Sequence, residues 1–258
     1  VSGADPSHGT FVCERSGPTA VVMFADRHHG NAMSSRRMRE LQSLLGELAA
    51  DDSVRSVVLR AQEGKSFAVG CDFREMIDLT AGAETDAWTD AIADLCVVCL
   101  EMPKPTVAAL DGHVIGIGLM LALACDYRLG SESCSLRMPH FELGLACTFG
   151  GYLLERTVGR HVMQNMLMSG EPWSPESSLA DGLLHEIVPD GDLARTALKR
   201  ALHFAAYDLP AFAATKYTLS LPHTQQLRAM QHSTRLRNRA DFATDLPRRR
   251  MRRILNRE

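Results

Sequence analysis

The sequence has no apolar run near the roughly 20 residues that a membrane-spanning helix needs, which argues against a membrane protein. It has no excess of one charge either. Its 28 Lys and Arg nearly balance 31 Asp and Glu, for a net charge of −3, so no global field draws it toward nucleic acid. Cys96 and Cys99 lie three apart with no second pair, and they sit in a helical pattern, which argues against zinc. There is no metal-ligand cluster and no dinucleotide fingerprint, so neither a metal nor a redox cofactor is expected. No basic segment followed by an apolar one opens the chain, so no secretory signal is expected. The seven cysteines (13, 71, 96, 99, 125, 134 and 147) fall mostly in apolar runs. Buried, reduced thiols in a cytoplasmic protein are the expectation.

What is present is an ordinary globular balance. Hydrophobic residues make up 45% of 258 and charged residues 23%, enough for one large domain with a full core. Residues 1–9 are small and polar and read as a tail. Two strand-like runs between 11 and 24 flank the turn Ser16-Gly17-Pro18. The spacing of Met38, Leu41, Leu44, Leu45 and Leu48 predicts a helix over 31–50. Strands are expected at 54–59, 106–110 and 125–129, a short helix after the turn near 64, and an amphipathic helix over 85–102. From 150 onward the pattern is mostly helical, with separate helices at 151–158, 161–168, 175–181, 192–206, 210–219 and 225–243. Strands alternating with helices imply β-crossover-β units and a layered α/β core. The arginines at 248, 249, 250, 252, 253 and 257 form a basic tail. It reads either as a solvated helix end or as an arm that contacts phosphate or another subunit.

Two glycine-bearing stretches carry the chemical signal. One is Ser66-Phe67-Ala68-Val69-Gly70-Cys71-Asp72-Phe73-Arg74-Glu75-Met76. The other is Asp111-Gly112-His113-Val114-Ile115-Gly116-Ile117-Gly118-Leu119-Met120. In each, an apolar strand runs into glycine and then into a helical turn. A helix that starts at glycine offers unpaired N–H groups with no side chain in front of them. Two such ends facing each other would stabilise an enolate or a tetrahedral anion.

Together with Cys125-Asp126-Tyr127-Arg128-Leu129, Met138-Pro139-His140-Phe141-Glu142-Leu143-Gly144-Leu145, Gly150-Gly151, Ala180-Asp181-Gly182-Leu183 and Val188-Pro189, these stretches resemble the crotonase (enoyl-CoA hydratase/isomerase) superfamily over about residues 10–220. The stretch from Ser66 to Glu155 is most similar to the carboxymethylproline synthase branch. That branch decarboxylates malonyl-CoA and uses the enolate to make a carbon–carbon bond. The resemblance implies an α/β fold, a crotonase-type spiral of ββα units over 10–200, followed by a C-terminal helical trimerisation region over 201–258. It implies a homotrimer or hexamer. It also implies an acyl thioester, on CoA or a carrier protein, with coenzyme A entering as part of the substrate.

By position, the resemblance assigns the two carbonyl-holding N–H groups to Cys71 and Ile117, beside Gly70 and Gly116. His28, His29, Val69, Phe73 and Arg74 match the contacts to adenine and pantetheine. Met120, Leu145, Cys147 and Phe149 would wall an apolar acyl pocket. Hydratases of the family handle water with two glutamates, and Met120 and His140 stand at those positions. Carboxymethylproline synthases also keep a glutamate where His140 stands. A similar Pro-His-Phe occurs in the superfamily's diketone hydrolases, whose downstream acidic residue is replaced by Phe149. Imidazole can give or take a proton near neutral pH, so His140 is the expected acid/base. If its segment is extended, Glu142 shares its side and could orient the ring or act itself. The expected activity is enolate chemistry: decarboxylation, or making or breaking of a carbon–carbon bond. Hydration or isomerisation with an unusual acid/base set, diketone hydrolysis, and a non-catalytic thioester-binding protein are the alternatives.

Overall fold

The computed structural model describes residues 11–26 and 30–256. The tail over 1–9, His28, His29 and Arg257 lie outside the described residues. Strands β1 (Phe11–Ser16) and β2 (Thr19–Phe24) form an antiparallel hairpin closed at Gly17 (φ 58°) and Pro18. From β2 the sheet continues in parallel through β3 (Ser56–Ala61), β4 (Thr106–Leu110), β6 (Tyr127–Ser131) and β8 (Glu186–Val188), in the order β1-β2-β3-β4-β6-β8.

A second layer of short strands lies beside the first. Here β5 (His113–Ile115) pairs in parallel with β7 (Ser135–Arg137). Single bridges extend the layer on both sides: Met33 with Cys71, Ala68 with Val114, and Leu136 with Trp173. The chain therefore repeats one path. It runs along a main-sheet strand, through a short second-layer segment, and into a helix. The helices that end these turns are α1 (Ser35–Ala50), α2 (Phe73–Met76), α4 (Ile117–Ala124) and α5 (His140–Leu143). This is the expected spiral of ββα units.

Alternation along the parallel strands sorts the core into two faces. Ala20, Val22, Val57, Leu59, Ala108 and Leu110 face the main core, with α1 and with α3 (Ala83–Glu101). Val21, Val58, Val107, Ala109, Leu129 and Val188 face α8 (Leu193–Ala205) on the other side. Ser34 caps α1 by accepting the Arg37 N–H, so the helix starts at 35 rather than 31. Segment 31–34 instead joins the second layer through Met33.

Of two helix pairs expected from sequence, the first (151–158 and 161–168) is divided by a kink where expected, and the second (210–219 and 225–243) is a single helix. Helix α6 (Thr148–Ser169) runs through Gly159, which breaks the helical geometry at φ 77°. Helix α9 (Leu209–Phe242) runs through Pro222. Proline costs a helix one backbone hydrogen bond, but α9 is held along its length by α3. Arg235 grips Asp90 with two bonds of 2.7 Å, Asn238 donates to Thr89 at 2.8 Å, and Arg239 pairs with Asp86. Lys216 on α9 also bonds Asp126 at 2.7 Å, and Asp126 accepts both the N–H and the hydroxyl of Thr106. The chain then turns through α10 (Leu246–Leu255), which packs on α2 and α5. The remaining short helix, α7 (Pro175–Ala180), precedes β8. Among the described residues no helix is long and apolar enough to cross a membrane.

Candidate active site

The two glycine turns are held side by side by backbone pairing. Phe67 N donates to Asp111 O (2.8 Å), Ala68 N to His113 O (3.2 Å), and Ile115 N to Ala68 O (2.9 Å). The segment 67–70 thus runs parallel to β5, with Ala68 opposite Val114. Carried forward, this register sets Gly70 opposite Gly116 and Cys71 opposite Ile117. Both glycines have positive φ, 101° and 54°. A Cβ on Gly116 would lie 3.9 Å from the Gly70 Cα and 3.7 Å from Cε1 of His140. The Gly116 turn is therefore flanked closely by both the Gly70 turn and the imidazole.

The N–H of Cys71 takes no part in the pairing of its segment with Met33. In the bridge to Met33 the bonds run from Met33 N to Gly70 O (2.7 Å) and from Asp72 N to Met33 O (3.1 Å). Those two groups face residue 33, so the peptide N–H of Cys71 faces the opposite way. Ile117 is the first residue of α4, where an N–H has no acceptor within the helix. Gly118 allows the close approach: a Cβ there would meet Ala68 O at 2.6 Å and Ala68 Cβ at 2.7 Å.

Next to these turns lies a cleft of about 960 Å3, lined by Gly30, Val69, Cys71, Phe73, Arg74 and Ile115 on one side. Pro139, Phe141, Glu142 and Leu143 of the His140 segment form another wall, and Arg250, Arg253, Ile254 and Leu255 of α10 complete it. One edge of the first wall is set by Asn31 (φ 59°), which donates to Ser66 O at 2.8 Å and accepts the Asp26 N–H at 3.1 Å. Val69, Phe73 and Arg74, expected as contacts to the CoA portion, all line this cleft.

His140 opens α5 and is part-buried, but its Nδ1 is fully buried and has no hydrogen-bond partner among the described residues. Burial alone pushes its pKa down from 6.5 to about 4. No charge stabilises the imidazolium, so the ring is neutral at pH 7. Burial also pushes the thiols of Cys71 and Cys147 up to about 12, which makes both poor nucleophiles.

Two expectations are corrected. The His140 segment is a helical turn, not extended. Residues two apart on a helix do not share a face, and Glu142 turns to Arg137 Nη2, which it meets with both oxygens at 2.8 and 2.9 Å. It does not orient the imidazole. Glu142→Gln is accordingly expected to cost less than about 1 kcal/mol of stability, as an exposed pair, and to leave turnover unchanged; thermal melting and steady-state assays check both. The second correction concerns the acyl wall. Met120, Leu145 and Phe149 are buried in the core at 3–5% exposure and do not line the open cleft. Met120 and Cys147 crowd Gly150, each 2.7 Å from where its Cβ would stand, with Met138 at 3.2 Å. Side chains interdigitate behind the glycine turns where an open pocket was expected.

The place of α10 in the cleft wall was missed, although its arginines were expected as a solvated helix end or as an arm that contacts phosphate or another subunit. The signal was present: Pro247 near a helix start and apolar Met251, Ile254 and Leu255 at helical spacing. The density of arginine hid that apolar face.

The Enoyl-CoA hydratase/isomerase family model matches residues 14–249. Carboxymethylproline synthase from Pectobacterium carotovorum subsp. carotovorum is 29% identical over 229 residues, covering 89% of this chain and 92% of that protein. Among solved structures, ThnE from S. clavuligerus shares 39% identity with a TM-score of 0.74, over 86% of this chain and 97% of that one. Human mitochondrial delta3-delta2-enoyl-CoA isomerase, at 23% identity, matches in fold with a TM-score of 0.89 over 96% and 97% of the two chains. Strand register, glycine turns and sequence likeness agree: this chain belongs to the enoyl-CoA hydratase/isomerase family of the crotonase superfamily.

Proposed function

We propose that the protein binds an acyl thioester, on CoA or on a carrier protein, and stabilises its enolate between the N–H groups of Cys71 and Ile117. The single observation that carries this reading is the shared register of 67–70 with β5, which brings Gly70 and Gly116 into contact beside His140. Two N–H dipoles converging on one thioester oxygen favour the state in which that oxygen carries negative charge.

The reaction supported best is decarboxylation of a malonyl-type thioester followed by attack of the enolate carbon on a carbon electrophile. The carboxylate leaves as CO2, and its bonding pair becomes the enolate. Apolar surroundings at Phe73, Ile115 and Leu143 favour loss of that charge from the carboxylate. A neutral His140 fits the second step. At pH 7 it offers no imidazolium to quench the enolate carbon, so the carbanion survives to meet an electrophile. On attack the electrophile's oxygen or nitrogen gains the electron pair and takes up a proton from water, a transfer that a neutral imidazole can relay. The likeness to carboxymethylproline synthase points the same way. Hydration is supported less: Glu142 is the one carboxylate of the His140 segment, and Arg137 occupies it. Exposed Met168, Tyr217 and Leu219 on α6 and α9 are apolar surface that supports a homotrimer or hexamer.

Incubation with malonyl-CoA, methylmalonyl-CoA and crotonyl-CoA, followed by mass spectrometry, tests the reading. CO2 loss from the malonyl substrates is expected, with product trapped as a new carbon–carbon bond when an imine or aldehyde acceptor is supplied. Water addition to crotonyl-CoA alone would replace this reading with hydration. Binding without any turnover would leave a non-catalytic thioester-binding protein.

A further inference from the structure

Helix α5 is a single turn of four residues, too short to be stable by itself. The C-terminal helices of the same chain hold it and the segment after it. Arg250 Nη1 on α10 donates to Phe141 O at 3.1 Å, which also accepts the Gly144 N–H at 3.1 Å, and to Glu142 O at 2.6 Å, a carbonyl that a one-turn helix leaves unpaired. Asp241, near the end of α9 and 4% exposed, accepts the Ala146 N–H at 3.1 Å and is itself paired with Arg237. Thr234 donates to Thr148 at 3.1 Å. Leu246 packs on Gly144, at 3.0 Å from where a Cβ would stand. The segment that begins with His140 is thus tied down at both ends by residues more than 90 positions further along the chain.

We propose that Arg250 and Asp241 are positioning residues: they lock α5 in the attitude that keeps the His140 ring against the Gly116 turn. The inference rests on His140 being the acid/base of the proposed reaction. Neither residue needs to touch the reacting atoms. Arg250 holds the main chain one and two residues beyond His140, so its loss lets the turn rotate and carries the ring away from the glycine pair. Arg74 and Arg253 line the same cleft, and the charged groups on or bonded to the α5 segment are Arg137, Glu142, Arg250 and Asp241. Arg137 and Glu142 pair with each other, and Arg250 and Asp241 are engaged in holding the segment.

The test compares Arg250→Ala and Arg250→Lys with the unmodified protein in two readouts: kcat and KM on the thioester that turns over, and the titration of the His140 ring by NMR. In Arg250→Ala, kcat is expected to fall about 10- to 100-fold while KM changes little, and the ring titrates closer to the 6.5 of a solvated imidazole because it is no longer held in its buried site. Arg250→Lys can reach one of the two carbonyls and recovers part of both effects. A folded Arg250→Ala with unchanged kcat and unchanged titration overturns the proposal, as does a loss confined to KM, which would make Arg250 a substrate contact. Should Arg250→Ala fail to fold, Arg250→Lys decides alone, and no movement of either readout overturns the proposal. If no thioester turns over at all, the reaction reading fails, while the His140 titration still judges the clamp.

Discussion

His140→Phe abolishes turnover while leaving the protein at least as stable at pH 7: that is the expected result, and the combination is its diagnostic. Removing a general acid/base costs about 10²- to 10⁴-fold in rate. The stability half follows from the orphaned Nδ1. A buried polar nitrogen without a partner costs about 1–3 kcal/mol, and a phenyl ring of similar shape has no such atom. A residue that lowers stability yet stays in place fits a site kept for function rather than packing. The same variant flattens the acid limb of the stability curve. In the folded protein His140 has a pKa of about 4, below its ordinary 6.5, so the unfolded chain takes up the proton first. Stability is therefore present in full above pH 6.5 and is lost as pH falls through 4, by up to about 3 kcal/mol for this group. Urea midpoints measured from pH 7 to pH 4 should fall more steeply for the native sequence than for His140→Phe. Equal slopes would mean that the imidazole is not buried in a neutral form. Retained turnover would remove its role in the chemistry.

Gly118→Ala is expected to be the most damaging single methyl group in the protein. The new Cβ would stand 2.6 Å from Ala68 O and 2.7 Å from Ala68 Cβ. These are backbone and a methyl with no torsion to relieve the clash, so the strand 67–70 must move away from α4. Overpacking of this kind costs about 1–3 kcal/mol. The functional loss is larger in proportion, because the displaced strand carries Cys71 away from Ile117. Loss of one oxyanion donor is worth about 10²- to 10³-fold in kcat. Gly150→Ala gives the contrast: its Cβ would press on Met120 Cε and Cys147 Sγ, the far ends of movable side chains. Gly46→Ala gives the control. It lies on the exposed face of α1 with nothing within 4 Å, and is expected to stabilise by about 0.5–1 kcal/mol. Chemical denaturation ranks the three. A Gly118→Ala protein with native stability and native kcat would show that the two turns do not act together.

Much of this was legible in the chain. The strand–helix alternation implies the layered α/β core, because apolar periodicity is a local signal, and the resemblance carried by the glycine stretches implies the ββα spiral. What escaped depends on distant partners. Nothing near Pro222 announces that α9 continues, since the side chains that hold it past the proline are distant in sequence: Tyr152 on α6 bonds His223, and Glu101 on α3 pairs with Arg228. The turn at His140 reads equally as extended or helical over four residues, and Arg250 decides it from 108 positions away. Glu142 was misjudged for the same reason: its direction follows from that helical turn and from Arg137. Met120 and Cys147 were expected as walls of an apolar pocket, but their tight packing with Met138 on Gly150 joins three separate segments of the chain.

The pairing of two peptide segments in the second layer has an evolutionary consequence. The dipoles proposed to stabilise the enolate belong to the main chain, so no codon at 71 or 117 has to specify them. Drift at those positions can remodel the entrance while the electrostatic core of the scaffold persists. Choice among reactions would then fall to a few side chains beside the two turns, such as His140, and a new chemistry would need only a few substitutions on an inherited frame.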